Sequence, residues 1–152
     1  MFKMRSLLQM FVILAIANLA VAAILKPDVE DKTTILIQSN KVAAAFAKGM
    51  PLIETNNFKV HASRREAPGI AEIHIQDTDI IYVLEGSAVF VTGGKATETK
   101  TTAPSELRGQ KIEGGEARQI GKGDLIIVPN GVPHWFKEVN GPLLYYVVKV
   151  SR

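Results

Sequence analysis

The stretch GDLIIVPNGVPHWFKE, from Gly123 to Glu138, constrains the fold of this chain more than any other segment. It contains an apolar, β-branched run of strand type, Leu125 to Val128. A Pro129-Asn130-Gly131 turn follows, and His134 opens the next strand. Proline fixes φ and glycine supplies a left-handed position, so the backbone sets the direction of the His134 side chain. The pattern predicts a histidine held facing into one end of a β-barrel, which is the kind of fixed ligand that a metal site needs.

The spacing of four residues in this stretch follows a known pattern: Gly123, Pro129, Gly131 and His134. It resembles the second motif of the cupin superfamily, which ends on an asparagine where this chain has Glu138. The resemblance implies an all-β, single-domain fold, a small antiparallel β-barrel of jelly-roll type. It also implies a metal site inside that barrel.

A second segment, upstream of the first, resembles the end of the first cupin motif. Anchoring that motif on Gly86 places its carboxylate at Asp79 and its second histidine at His74. The motif's first histidine is replaced by Glu72, and its glutamate is shortened to Asp79. The resemblance implies that Glu72, His74, Asp79 and His134 are the metal ligands.

The alternation of side chains between Glu72 and Gln76 supports this grouping independently. Glu72, His74 and Gln76 occupy alternate positions, so in a strand they share one face, and isoleucines occupy the other. A polar face of this kind suits a wet or metallated cavity, and Gln76 is the alternate ligand if Glu72 does not reach the site. The competing interpretation is a solvent-facing strand in a half-exposed sheet, with His134 as a structural histidine.

The proposed ligand types restrict the metal and the chemistry. Two imidazoles with one or two carboxylates suit iron(II), manganese, nickel or zinc, and two histidines with one carboxylate also form the site of non-haem iron oxygenases. Glu72 is predicted to be either a ligand or a general base. Tyr82 is predicted to fill the barrel and is the second candidate catalytic residue. In the last strand, one of Tyr145 and Tyr146 should point inward, where it could fill the core or, near the metal, donate a proton or anchor a substrate.

The remaining pattern predicts many short strands. Alternating or β-branched segments bounded by glycine and proline turns run from residue 57 to the end, and they predict a barrel over 57–152. A polar segment within it, Lys95 to Gly115, predicts a long hairpin or lid-like loop. An N-terminal arm over 24–56 carries one short helix, Lys41 to Lys48, with Ser39 as N-cap and Gly49 as the stop.

Residues Met1 to Ala23 have the features of a secretory signal peptide. Lys3 and Arg5 form a positive start, an apolar segment follows, and Ala20-Val21-Ala22 is a cleavage pattern. A transmembrane anchor is the alternative, but the continuous apolar run from Met10 to Ala17 is well short of the roughly 20 residues that a spanning helix needs. We therefore expect a periplasmic or secreted protein that has no membrane attachment after cleavage.

Composition excludes several classes of function. The formal net charge of +3 includes two residues of the predicted signal, and Arg64-Arg65 is the most basic cluster elsewhere, so nucleic acid is not an expected partner. The chain has no cysteine, which excludes thiolate metal sites and a cysteine nucleophile. It also lacks a phosphate-binding loop and a nucleophile elbow.

These observations predict an exported, metal-dependent enzyme, oxygenase-like or an isomerase or lyase, that acts on a small organic molecule. The alternative is a non-catalytic barrel that binds a small molecule or carbohydrate, and a third possibility is a structural or assembly role. An open coordination position facing a pocket would distinguish the enzyme from the binding barrel. Because cupin-like barrels commonly pair, the resemblance also implies a homodimer.

Overall fold

The computed structural model describes residues 33–152. The predicted signal segment lies outside the described residues. The described elements, in chain order, are α1 (Ser39–Lys48), β1 (Met50–Glu54), β2 (Phe58–Arg65), β3 (Ala71–His74), β4 (Asp77–Thr92), β5 (Lys95–Ala96), β6 (Lys100–Ala103), β7 (Glu106–Gly109), β8 (Ile112–Glu113), β9 (Glu116–Gly121), β10 (Leu125–Val128) and β11 (His134–Ser151). Within residues 33–152, no helix has the length and apolarity needed to cross a membrane.

The helix α1 forms where an alanine-rich segment predicts it, and Gly49 ends it in the left-handed conformation at φ 67°. The prediction of Ser39 as the N-cap is wrong, because the cap is Gln38, which makes no side-chain capping hydrogen bond. The helix buries Ala45 and packs the Phe46 ring edge-on against Tyr146, with 4.9 Å between ring centroids. It therefore covers part of the outer face of the sheet.

The strands form an antiparallel sheet of nine strands, which confirms the all-β prediction. Its order is β1-β2-β11-β3-β7-β6, and β4 pairs with β9, β10 and β11; β5 and β8 form a separate two-stranded sheet. The sheet begins earlier than predicted, because β1 lies inside the segment assigned to the N-terminal arm and pairs with β2.

Two long strands, β4 and β11, pair along nearly their whole length and then fold back on themselves. The Phe136 and Tyr145 rings, both on β11, have centroids 5.2 Å apart. In a straight strand, nine residues would separate them by roughly 30 Å. The bend coincides with Gly86 on β4, at φ 79°, and Gly141 on β11, at φ 70°. Folding the ribbon in half curls the sheet into the barrel and brings its two ends together.

The main core fills the curled sheet. Its buried members come from both halves of the folded ribbon and from β9 and β10: Ile81, Val83, Ala88, Phe90, Ile120, Val128, Phe136, Leu143, Tyr145 and Val147. A second, smaller cluster of Ala71, Val91, Ala96 and Ile112 packs with Trp135. Trp135 and Phe136 thus face opposite sides of β11, as alternation in a strand requires.

The segment 95–115, predicted to be a hairpin or lid-like loop, contains four short strands, β5 to β8. Of these, β7 pairs with β3 over four residues, from Ala71↔Gly109 to His74↔Glu106. This pairing matters for function because β3 carries two of the predicted site residues.

Candidate metal centre

Cross-strand pairs place the charged side chains of the site. Between β3 and β7, Glu72 lies opposite Arg108 and His74 lies opposite Glu106. Glu72 also lies opposite His134, at the start of β11. Residues directly opposite each other on one face have closely spaced Cβ atoms, so strand register alone gathers these groups.

The four predicted ligands converge inside the barrel. The His74 Nε2 atom lies 3.7 Å from Glu72 Oε2 and 3.4 Å from Asp79 Oδ2. The His134 Nε2 atom lies 4.0 Å from the same glutamate oxygen and 3.8 Å from the same aspartate oxygen. Ligand atoms of Glu72, His74 and His134 all lie within 4.8 Å of one another. The two motif segments therefore meet, although 60 residues of sequence separate the two histidines.

Hydrogen bonds fix the tautomer of both imidazoles. The Nδ1–H of His134 donates to the Val132 carbonyl oxygen at 3.1 Å, and a carbonyl oxygen can only accept. The Nδ1–H of His74 donates to Glu106 Oε2 at 2.7 Å. In both rings the lone pair is therefore on Nε2, the atom that faces the carboxylates. Partners of this kind orient metal-bound histidines and raise their basicity.

Both imidazoles are neutral at neutral pH because they are buried. Burial lowers the pKa of His74 to about 4, although the Asp79 carboxylate opposes this shift. Burial also lowers the pKa of His134 below its usual value, against the effect of the Val132 carbonyl and of Asp79. A neutral imidazole is the form that binds a metal ion.

These residues fit a divalent metal ion. Two nitrogen lone pairs and two carboxylate oxygens point at one another, and His74 Nε2 is buried with no hydrogen-bond partner among the described residues. Such an arrangement is unfavourable unless a cation lies between the groups. Ligands bound at about 2.1 Å in a tetrahedral arrangement are about 3.4 Å apart, so the observed separations need only a small contraction.

Cations surround the carboxylates of the site. Arg108 Nη1 lies 3.2 Å from Glu72 Oε2, and Arg65 Nη2 lies 3.7 Å from Glu72 Oε1. Lys149 Nζ donates to both oxygens of Asp79, at 2.7 and 2.9 Å. Arg65, from the Arg64-Arg65 cluster, is half-buried and also lies over the Phe136 ring. The carboxylates are therefore compensated by cations from three strands.

The site opens into a cavity of about 470 Å³, a size that suits a small organic molecule. The polar side of β2, including Lys59, His61 and Ser63, forms part of its wall. His61 Nε2 lies 2.8 Å from Glu54 Oε1. Of the two adjacent tyrosines in β11, Tyr145 lines the cavity and Tyr146 packs against α1.

Two predicted site residues, Gln76 and Tyr82, lie outside the cavity. Gln76 is exposed, because β3 ends at His74 and a bend at 75–76 breaks the alternation on which the prediction depended. Tyr82 is 44% exposed on the outer face of β4, between the buried residues Ile81 and Val83. Tyr82 is three positions from Asp79 in β4, so the two side chains lie on opposite faces of the strand. A role in catalysis would require Tyr82 on the same face as Asp79, which is where the site lies.

Three residues of the site were not predicted: Glu106, Arg108 and Lys149. Glu106 and Arg108 flank Leu107 in a segment predicted to be a hairpin or lid-like loop. This alternation of polar and apolar residues could have indicated the strand β7. Lys149 interrupts the apolar last strand and, at alternate positions, lies on the same strand face as Tyr145 and Val147. A charged residue on an inward strand face indicates a buried partner.

Comparison with known proteins places the chain in a family. A family model described as Cupin matches residues 14–151. The chain belongs to the cupin family. Cupins commonly bind a divalent metal ion and small-molecule substrates. The Glu72, His74 and His134 group of this cupin is a possible metal site.

Solved structures agree with the cupin fold. BH2720 from Bacillus halodurans is 15% identical, with a TM-score of 0.57 over 82% of this chain and 86% of that one. An uncharacterised double-stranded beta-helix protein from Klebsiella pneumoniae is 16% identical, with a TM-score of 0.51 over 78% of this chain and 91% of that one. At these identities the likeness concerns the fold alone.

A third solved structure belongs to a protein of which this chain matches only about half. Peruvianin-I, a cysteine peptidase from Thevetia peruviana latex, is 16% identical with a TM-score of 0.43 over 62% of this cupin, which spans about half (51%) of that chain. No curated protein matches the chain.

Proposed function

We propose that this cupin is a metal-dependent enzyme, oxygenase-like or an isomerase or lyase, that acts on a small organic molecule. The observation that carries the proposal is the pair of Nε2 lone pairs, on His74 and His134, aimed beside a carboxylate at the wall of a cavity. Two imidazoles oriented in this way, with no proton between them and the neighbouring carboxylates, support a metal-binding site.

The residues have separable roles in this proposal. His74, His134 and Glu72 would hold iron(II), manganese, nickel or zinc, an assignment that their nitrogen and oxygen donors suit. When bound, such an ion would supply Lewis-acid chemistry toward a carbonyl or hydroxyl oxygen, or redox chemistry with dioxygen. Glu106 and the Val132 carbonyl keep the two imidazoles in their metal-binding tautomers. The apolar residues Ile81, Phe136 and Val147 restrict water on one side of the cavity.

Glu72 has a second possible role besides binding the metal. Its carboxylate is half-buried, lines the cavity and lies between the two guanidinium groups of Arg65 and Arg108. A carboxylate in that position could accept a proton from a substrate, and Arg108 could hold the charge that develops. Of the two predicted catalytic residues, Glu72 and Tyr82, we favour Glu72 because it lines the cavity that a substrate would occupy.

An open coordination position is the property that separates the enzyme from a binding barrel. We expect the iron(II)-loaded protein to bind nitric oxide stoichiometrically and to give the electron paramagnetic resonance signal of an iron–nitrosyl centre. His61→Ala, in the same cavity but outside the proposed ligand set, should give the same signal. An iron-loaded protein that gives no nitrosyl signal would have a closed site, and the non-catalytic binding barrel would then be favoured.

We also propose that the protein is exported, on the basis of the signal-like segment Met1 to Ala23. Expressed in a bacterial host, the protein recovered from the periplasm or medium should begin near Ala23. Intact mass measurement of that fraction tests the prediction. Recovery of the full-length chain from the membrane fraction would contradict it and would favour the anchor.

A further inference from the structure

Lys149 is a buried cation beside the proposed metal site. Its Nζ donates to Asp79 Oδ1 at 2.7 Å and to Oδ2 at 2.9 Å, so one ammonium group holds both oxygens of the carboxylate. The Lys149 side chain is 13% exposed and that of Asp79 is 5% exposed. The two residues lie directly opposite each other on β11 and β4, so strand register enforces their contact.

The lysine and a metal ion would compete for the same oxygen atom. Asp79 Oδ2 accepts from Lys149 and also lies 3.4 Å from His74 Nε2 and 3.8 Å from His134 Nε2. An ammonium group bonded to a carboxylate oxygen withdraws the electron density that a metal would use.

The carboxylate of Glu72 is held less firmly. Its nearest cations are Arg108 Nη1 at 3.2 Å and Arg65 Nη2 at 3.7 Å. Arg108 Nη1 is buried and makes no hydrogen bond of good geometry within the described part of the chain. Glu72 is therefore available to a metal ion, whereas Asp79 already has a partner on both oxygens.

We propose that Lys149 keeps Asp79 out of the metal's ligand set, so that Glu72, His74 and His134 bind the ion and the remaining positions stay open to the cavity. This inference rests on the proposed function. Four protein ligands close a tetrahedral zinc site, whereas three leave a position for water or substrate. At an octahedral ion such as manganese(II), a fourth protein ligand likewise removes one of the open positions. Lys149 is thus a positioning residue that sets how many coordination positions a substrate can reach.

The test uses manganese(II) as the probe. In Lys149→Met, Asp79 loses its partner and becomes a fourth ligand, so manganese(II) should bind about tenfold more tightly. This is the lower end of the size, with the opposite sign, of the changes seen when residues that support metal ligands are mutated. Because Asp79 then replaces a bound water, the water-proton relaxation rate of the manganese-loaded protein should fall. Calorimetry measures the first quantity, and magnetic relaxation at a fixed loading measures the second.

Lys59→Met is the matched control. Lys59 lines the same cavity and contacts the buried Asp77 at 2.5 Å, and it lies opposite Lys149 in the sheet. A purely electrostatic gain from removing one positive charge would raise metal affinity in this variant too. The proposal predicts that its affinity and relaxation rate equal those of the wild type.

Two further variants complete the design. In Lys149→Met/Asp79→Asn the released carboxylate is absent, so the relaxation rate should return to the wild-type value. Lys149→Gln, a milder change, should shift affinity and relaxation in the same direction as Lys149→Met, and it replaces that variant if the methionine prevents folding. A wild-type relaxation rate in both Lys149 variants would overturn the inference while leaving the proposed function intact. A wild-type protein that binds no manganese, iron, nickel or zinc would overturn both.

Discussion

His74→Ala and His134→Ala should each lower metal affinity by about two orders of magnitude or more. Losing one nitrogen ligand leaves one imidazole and the carboxylates, and even the loss of a residue that only supports a metal ligand costs about 10–100-fold. Each imidazole is buried and held in the metal-binding tautomer, so no other described side chain can take its place without a rearrangement. Competitive titration against a chelator of known affinity measures the change.

His61→Ala is the matched control for these variants because it removes the third of the chain's three histidines. His61 lines the same cavity, but its Nε2 lies against Glu54 and outside the proposed ligand group. We expect its metal affinity to equal that of the wild type. If all three histidine variants lost affinity equally, the binding would be non-specific or due to a general loss of structure.

Gly86→Ala should destabilise the protein by more than about 3 kcal/mol, well above the effect of a typical point mutation. Gly86 lies where β4 folds over, at φ 79°, and a Cβ atom there would lie 2.4 Å from the Pro142 carbonyl oxygen and 3.0 Å from Leu143 Cα. Both contacts are with backbone of β11, which cannot move without opening the paired ribbon. Equilibrium unfolding in urea measures the loss.

Gly93→Ala is the matched control for the steric part of this effect. Gly93 has nearly the same dihedral angle, φ 73°, but a Cβ atom there would meet nothing within 4 Å. Only the left-handed conformation is then penalised, which costs about 1–2 kcal/mol. Equal destabilisation of the two variants would show that the fold of the ribbon does not depend on the close approach at Gly86.

The sequence predicted the fold class well because the barrel depends on local signals. Glycine and proline mark the turns, and alternation marks most strands, so the all-β class followed from the pattern. The two long, bent strands β4 and β11 were not predicted, because Glu85-Gly86 reads as a turn and a break in the apolar pattern after Glu138 divides the last strand. Each long strand was therefore predicted as two short ones. The register that brings His134 opposite Glu72 is a long-range property that no local pattern encodes.

The candidate site could be predicted where two segments of the sequence match the residue spacing of the two cupin motifs. That spacing identified the four groups that converge: Glu72, His74, Asp79 and His134. It did not identify the side chains that control them. Lys149 and Glu106 reach the site because their strands pair with strands that are distant in the sequence. In the sequence alone, their charges are indistinguishable from those of ordinary surface residues. Gln76, the alternate ligand if Glu72 did not reach the site, is exposed, because a two-residue bend after His74 ends the alternation of β3.

The most direct test of the proposed metal centre is X-ray absorption at the K-edge of the metal in the loaded wild-type protein. We expect two imidazole ligands, visible through their outer-shell scattering, together with oxygen ligands at about 2.0–2.2 Å. In the His134→Ala protein the imidazole count should fall by one. A spectrum with only oxygen scatterers, as for a hydrated ion on the surface, would contradict the account that His74 and His134 bind a metal inside the barrel.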